Sequence, residues 1–209
     1  EFGLKKNNFI VLDDGVDLAD FKNNSKKKFK NTCVYTGSLH KGKGLEKILS
    51  IAKVLKDFKF YIYGDLSTLN HNTINVCKKI SNIKLFNFVV YGKIPSILKS
   101  HEIVLMPYEK VVYGNHSIDI SKYMSPLKLF DYLAAGKIIL ASKNQIYSHI
   151  LKNRFNSILC NPSDLPMWIN SIKNVKKNIK LAKKIRKNSL LTAQKYTWKK
   201  RIDKIINFV

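Results

Sequence analysis

From Asn31 onward, short runs of apolar, β-branched residues alternate with longer stretches whose apolar positions recur every three or four residues. Asn31–Gly37 (NTCVYTG) is β-branched and aromatic and closes on glycine, which predicts a buried strand. Leu45–Lys56 carries Leu45, Ile48, Leu49, Ala52 and Leu55 on one face, the period of a helix. Phe58–Tyr63 then reads as a strand, Thr73–Ile80 as a helix and Ile83–Phe86 as a strand. Pro95–His101 reads as a helix and Glu102–Met106 as a strand stopped by Pro107. Ser125–Ala135 is a strong helix with Gly136 beyond its end, and Lys137–Ser142 is a strand. A helix near Gln145–Leu151 and a strand near Ser157–Cys160 complete the alternation. After Pro166 the pattern is helical: Pro166–Val175, Lys176–Lys195 and Trp198–Phe208. Such alternation predicts an α/β fold, a Rossmann-like parallel sheet of about six strands with helices on both faces. The loop Asn115–Met124 then falls above the carboxyl edge of the sheet, where such folds bind ligands.

The length of 209 residues fits one domain, and 45% hydrophobic residues suffice for a core. No charged segment followed by an apolar run marks a signal peptide, and no run reaches the ~20 apolar residues of a membrane span. The chain opens on Glu1-Phe2-Gly3-Leu4 without an initiator Met, so a piece of a longer protein is expected. Cys33, Cys77 and Cys160 are far apart and odd in number, and His40, His71, His101, His116 and His149 form no metal motif. No metal site is therefore expected, and the thiols read as reduced in a cytoplasm.

The net charge of +24 raises nucleic acid and anionic membranes as partners. Only Arg154, Arg186 and Arg201 are arginines, the better fork for phosphates, and no aromatic residues interleave with the basic runs. Nucleic acid is disfavoured. An anionic membrane surface or anionic lipid substrate stays open.

Two stretches carry candidate phosphate chemistry. TGSLHKGKG (Thr36–Gly44) fits G-x-x-x-x-G-K-[ST] at Gly37, Gly42 and Lys43 but has Gly44 where a magnesium-binding hydroxyl belongs. In SPLKLFDYLAAG (Ser125–Gly136), Ser125 is placed to cap the helix and Pro126 to occupy its first position. The free N–H groups of that first turn, with Lys128, would hold an anion. Asp131, a turn further in, would accept hydrogen bonds from sugar hydroxyls. A ligand with a diphosphate and a ribose satisfies both features.

In order along the chain, six segments resemble the C-terminal, donor-binding half of GT-B glycosyltransferases of the glycosyl transferases group 1 family (family 4, Ser-Pro-Leu-Lys variant). They are DDGVDLADF (Asp13–Phe21), YTGSLHKGKGLEKIL (Tyr35–Leu49), FYIYGD (Phe60–Asp65), IVLMPY (Ile103–Tyr108), SPLKLFDYLAAGKIILAS (Ser125–Ser142) and YTWKKRIDKI (Tyr196–Ile205). SPLKLFDYLAAGK is the most specific. In the family frame Gly37 lets the backbone approach the donor phosphates, Lys43 acts on the diphosphate, and Gly44 is the glycine expected after that lysine. The family's arginine partner is Ser38 here. The family's Glu-x7-Glu pair falls on Tyr123 and Asp131, so the first carboxylate is missing and the second is shortened by one methylene.

The resemblance implies retaining transfer from a nucleotide-diphosphate sugar to a glycan or lipid-linked acceptor, in polysaccharide or cell-envelope synthesis. Lys43 and Lys128 would stabilise the departing diphosphate. Gly37, Ser38, Ser125, Pro126, Leu127 and Asp131 would complete the donor site, with no metal or cofactor. Residues 1–30 would be an interdomain lead-in, 31–195 the nucleotide-sugar domain, and 196–209 a closing helix packing towards an N-terminal acceptor domain absent from this chain. The expected location is cytoplasmic, with the inner face of the membrane as a candidate. The alternatives are a sugar-nucleotide epimerase of the same architecture and a basic nucleic-acid- or membrane-binding module.

Overall fold

The computed structural model describes residues 9–21, 30–114 and 118–208. Six parallel strands form one sheet: β1 (Thr32–Thr36), β2 (Lys59–Tyr63), β3 (Ile83–Phe86), β4 (Ile103–Met106), β5 (Ile138–Ser142) and β6 (Ile158–Cys160). Their order across the sheet is β3-β2-β1-β4-β5-β6. The chain winds outward from β1 to β3, then returns to place β4 on the other flank of β1, in register Cys33 to Ile103 and Val34 to Val104. The crevice at the carboxyl ends of β1 and β4 is the switch point at which such sheets bind ligands.

The described residues form seven α-helices: α1 (Leu45–Val54), α2 (His71–Lys79), α3 (Ile94–Ser100), α4 (Leu127–Ala134), α5 (Leu165–Lys177), α6 (Ile179–Ala193) and α7 (Trp198–Ile206). Strands β4 (IVLM) and β5 (IILAS) are buried at every position, as a sheet covered on both faces requires. Alternate residues of the strands inside β3 feed opposite cores. Cys33, Phe60, Leu105 and Leu140 pack with α1 and α5 on one face. Val34, Val104, Met106 and Ile139 pack with α4 on the other. The edge strand β3 alternates half-buried and exposed positions.

The alternation read from the sequence holds with one exception. Gln145–Leu151 is a turn, not a helix: Ser148 N–H donates to Gln145 O at 3.2 Å and Ile150 N–H to Tyr147 O at 3.0 Å, three-residue spacings. Asn144 Oδ1 captures the Ile146 N–H at 2.9 Å, and the buried Tyr147 donates its hydroxyl to Ser142 O at 2.8 Å. These side-chain bonds hold the segment against β5, and Leu151 N–H closes it by donating to Tyr147 O at 2.8 Å.

The two ends of the described chain meet. Val16 pairs with Thr197, its N–H donating to Tyr196 O at 3.1 Å, and a Cβ at Gly15 would lie 2.6 Å from Trp198 N. Arg201 donates to Leu12 O at 2.8 Å and to Asp13 O, and pairs with Asp14 at 3.5 Å. The lead-in and the closing helix therefore sit together, although residues 1–8 and 22–29 of the lead-in lie outside the described residues. Helix α7 buries none of its side chains; Trp198, Ile202, Ile205 and Ile206 are all exposed. No described helix is long and apolar enough to cross a membrane.

Candidate functional site

Strand β1 delivers Gly37 to the carboxyl edge, where φ is +128° and its N–H donates to Tyr63 O at 3.0 Å. The loop from Gly37 to α1 lies against the segment leaving β4. Glu109 N–H donates to Gly42 O at 2.9 Å and Tyr113 N–H to Lys41 O at 3.1 Å. Gly42 and Gly44 both have positive φ. A Cβ at Gly44 would stand 2.1 Å from Pro107 O, so the position that carries a hydroxyl in a P-loop is closed to any side chain here. The stretch is a close-packed glycine loop, and Gly44 is what lets it pack.

That packing buries Lys43, whose ammonium lies 5.0 Å from the centre of the Tyr108 ring. Lys128 reaches the same place from α4. Its ammonium sits 3.9 Å above the Tyr35 ring and 5.6 Å from that of Tyr108. A Cβ at Gly37 would lie 2.5 Å from the Lys128 Nζ, so glycine at 37 makes the space the ammonium occupies. Part of the Lys128 residue stays accessible, but its Nζ is buried and has no hydrogen-bond partner among the described residues. Burial lowers the Lys43 pKa. Burial, reinforced by the charge of Lys43, lowers that of Lys128 well below the ordinary lysine value, against a weaker pull from Asp131. Two cations thus share a cage of tyrosine faces, which supply cation–π attraction but no counter-charge.

Helix α4 starts two residues later than the sequence suggests. Pro126 is the N-cap, extended at φ −79° and ψ 97°, with no side-chain cap; Ser125 is exposed and outside the helix. The expectations that Ser125 caps and that Pro126 takes the first helical position are therefore corrected. Pro126 is itself extended, so the first helical residue is Leu127 and Ser125 stands one position before the cap. The first-turn N–H groups at Leu127 and Lys128 are left without a side-chain acceptor, at the positive end of the helix dipole. Leu127 itself is exposed.

One turn further, Asp131 is buried, and Tyr91 Oη donates to its Oδ1 at 2.9 Å. Burial pushes the Asp131 pKa up to about 6. The Tyr91 bond and Lys128 oppose that rise, and Asp20 adds to it. The structure therefore brings Gly37, Lys43, Lys128 and Asp131 around one crevice. Ser38 is exposed beside it, its carbonyl accepting the Tyr35 hydroxyl at 2.6 Å. Tyr123, where the family's first glutamate falls, is 85% exposed. Among the described residues no group of three or more His, Cys, Asp or Glu could hold a metal ion.

Sequence reasoning missed Tyr35, Tyr108 and Tyr91. The first two stand at strand ends inside the segments that carry the resemblance, but nothing local marks a tyrosine as a lysine's platform. Tyr91 is separated from Asp131 by 40 positions and meets it only through the strand order. A cleft of about 490 Å³ lies between α1 and the start of α5, lined by Glu46, Lys47, Glu109 and Ser163. It holds none of the crevice residues.

The model of the glycosyl transferases group 1 family matches residues 17–191. Among solved structures, a glycosyltransferase from Rickettsia africae ESF-5 aligns with a TM-score of 0.75 at 15% identity, over 95% of this chain and 55% of that one. The C-terminal domain of the group 1 family protein LpcC from Francisella tularensis aligns at 0.64 and 19% identity, over 86% of this chain and 97% of that one. Anabaena Alr3699/HepE, solved with UDP and glucose, aligns at 0.74 and 12% identity, over 93% of this chain and 56% of that one. The chain thus spans about half the length of the Rickettsia and Anabaena proteins. No curated protein sequence matches it.

Proposed function

Because the chain belongs to the glycosyl transferases group 1 family, we propose that it is the donor-binding half of a retaining GT-B glycosyltransferase of the Ser-Pro-Leu-Lys type. The donor, a nucleotide-diphosphate sugar, lies across the carboxyl ends of β1 and β4. Its diphosphate faces Lys43, Lys128, the Gly37 backbone and the first turn of α4, and its ribose faces Asp131. The observation that carries this reading is the Lys128 ammonium, buried beside Lys43 without a hydrogen-bond partner among the described residues. A buried cation in that state costs free energy that a bound diphosphate would return. The Anabaena structure solved with UDP and glucose supports a nucleotide sugar as the ligand class.

In transfer, the bond from the sugar's anomeric carbon to the diphosphate oxygen breaks, and its electron pair leaves with the diphosphate. Charge grows there, where two lysines and a helix N-terminus are already fixed and need no reorganisation. These groups perform the charge stabilisation without a metal or cofactor. The acceptor, a glycan or lipid-linked sugar, binds to sequence outside this chain, and the exposed apolar face of α7 packs against that half. The lysine-rich surface favours an anionic membrane face as the place of work.

The test is an assay of the longer protein that contains this chain, with a panel of donors, reading the anomeric configuration of the product by NMR. The reading expects retention. It also expects Lys43→Ala to lower kcat by roughly 10²–10³, as removing one preorganised charge-stabilising group does. An inverted product, or a Lys43→Ala enzyme as fast as its parent, would contradict it.

A further inference from the structure

We propose that Tyr91 is a positioning residue of this crevice: its hydroxyl fixes one oxygen of the Asp131 carboxylate and leaves the other to accept the ribose hydroxyls of the nucleotide. The inference rests on the donor-site reading above and names a residue that the sequence motifs do not contain.

Tyr91 opens the short turn Tyr91–Lys93 after β3, at the same carboxyl edge as Gly37 and α4. The residue is 51% exposed, yet its hydroxyl reaches into the fold and donates to Asp131 Oδ1 at 2.9 Å. Among the described residues the Asp131 side chain has no other hydrogen-bond partner. A carboxylate has lone pairs for about four donors, so one bond to Tyr91 leaves capacity for both ribose hydroxyls. It also removes the rotamer freedom that a ligand would otherwise have to freeze.

The same bond controls ionisation. The groups facing Asp131 are Tyr91 from the segment after β3, Asp20 from the lead-in, and Lys128 from the first turn of α4. Asp17, also in the lead-in, acts on Tyr91. Burial and Asp20 favour the protonated carboxyl, whereas the Tyr91 hydroxyl and Lys128 favour the carboxylate. Burial and the neighbouring carboxylates hold the Tyr91 hydroxyl protonated, so it stays a donor at physiological pH. Without it, Lys128 alone opposes burial and Asp20, and the carboxyl titrates closer to neutrality.

Two measurements on parent and Tyr91→Phe, which keeps the ring, test this. The first is the titration of the Asp131 carboxyl by ¹³C NMR in the free protein, assigned by its loss in Asp131→Asn. The Tyr91→Phe midpoint should lie above the parent's by about half a pH unit or more. The second is calorimetric binding of UDP between pH 5 and 8.5. Parent affinity should fall as pH drops through about 6. Tyr91→Phe should bind roughly 3–10-fold more weakly at pH 7, the worth of one ordinary hydrogen bond, with its fall-off moved to higher pH. A 2′,3′-dideoxy nucleotide should be nearly indifferent to the substitution. An unmoved carboxyl midpoint with parent-like UDP affinity overturns the Tyr91 proposal. A moved midpoint in a protein that binds neither UDP nor GDP keeps the Tyr91 contact but overturns the donor-site reading on which its role rests.

Discussion

At the scale of single residues, the crevice holds groups that the fold alone would not choose. Asp131 is an acid whose folded pKa lies near 6, above the unfolded value near 4. Its proton is bound more tightly in the folded state, so its favourable contribution is complete below about pH 4 and is lost as pH rises through 6. At pH 7 the buried carboxylate is a net cost of up to roughly 3 kcal/mol, because each tenfold change in proton affinity is worth about 1.4 kcal/mol. Asp131→Asn should therefore raise the Tm of the free protein at pH 7–8, with the advantage shrinking towards pH 5, while weakening nucleotide binding. Thermal unfolding at both pH values checks this, and a destabilised Asn variant at pH 8 would contradict it. Lys128 is the mirror case: a base with a lowered folded pKa costs stability at low and neutral pH and less as pH rises. Lys128→Met should gain stability at pH 7 and lose affinity for diphosphates more than for monophosphates. Lys43, Lys128 and Asp131 were legible in the sequence because chain-local motifs carry them. Tyr35, Tyr108 and Tyr91 were not, because their roles arise from packing across strands that only the sheet order brings together.

At the scale of elements, the glycine loop and α4 are set by backbone geometry. Gly44 is the N-cap of α1 at φ 90°, ψ 25°, closed off by the Pro107 carbonyl. Gly44→Ser, which would complete the P-loop pattern, should destabilise the protein by more than about 2 kcal/mol and create no magnesium-dependent ATP binding. Denaturant unfolding and an ATP titration check the two halves of that statement. Ser125 gives the opposite forecast. A true helix cap costs about 1 kcal/mol when replaced by alanine. Ser125 stands outside α4, so Ser125→Ala should change stability by less than about 0.5 kcal/mol. A full capping loss would contradict the observed start of α4. Sequence pattern located the six strands and seven α-helices of the described residues, because short apolar β-branched runs in the strands and amphipathic spacing in the helices are local signals. It misplaced the first residue of α4 and made a helix of the Gln145–Leu151 turn. In both places apolar spacing does not register the backbone: Pro126 is extended, and the 145–151 segment closes in isolated turns.

At the scale of the whole molecule, the strand order gathers residues from positions 37 to 131 into one crevice. The sheet carries two cores of its own, one on each face. The chain should therefore fold alone, as a domain of this size does. In the proposed reading the acceptor wall lies elsewhere, and proximity accounts for ~7–11 kcal/mol of a barrier. The 209-residue chain should thus bind donor nucleotide but transfer sugar far more slowly than the longer protein under identical conditions. In the same proposed reading the exposed face of α7 meets that wall, and Ile202→Glu should leave the stability of this chain within about 0.5 kcal/mol of the parent's. The central claim is that two caged lysines and the start of α4 make a nucleoside-diphosphate site. Calorimetric titration of the chain with UDP, GDP and the corresponding monophosphates, in EDTA and at two salt concentrations, tests it most directly. The account predicts binding in EDTA, tighter for the diphosphates, that persists at the higher salt and is weakened by Lys43→Ala. Absence of binding, binding only on adding magnesium or manganese, or equal affinity for mono- and diphosphates that collapses with salt would contradict it.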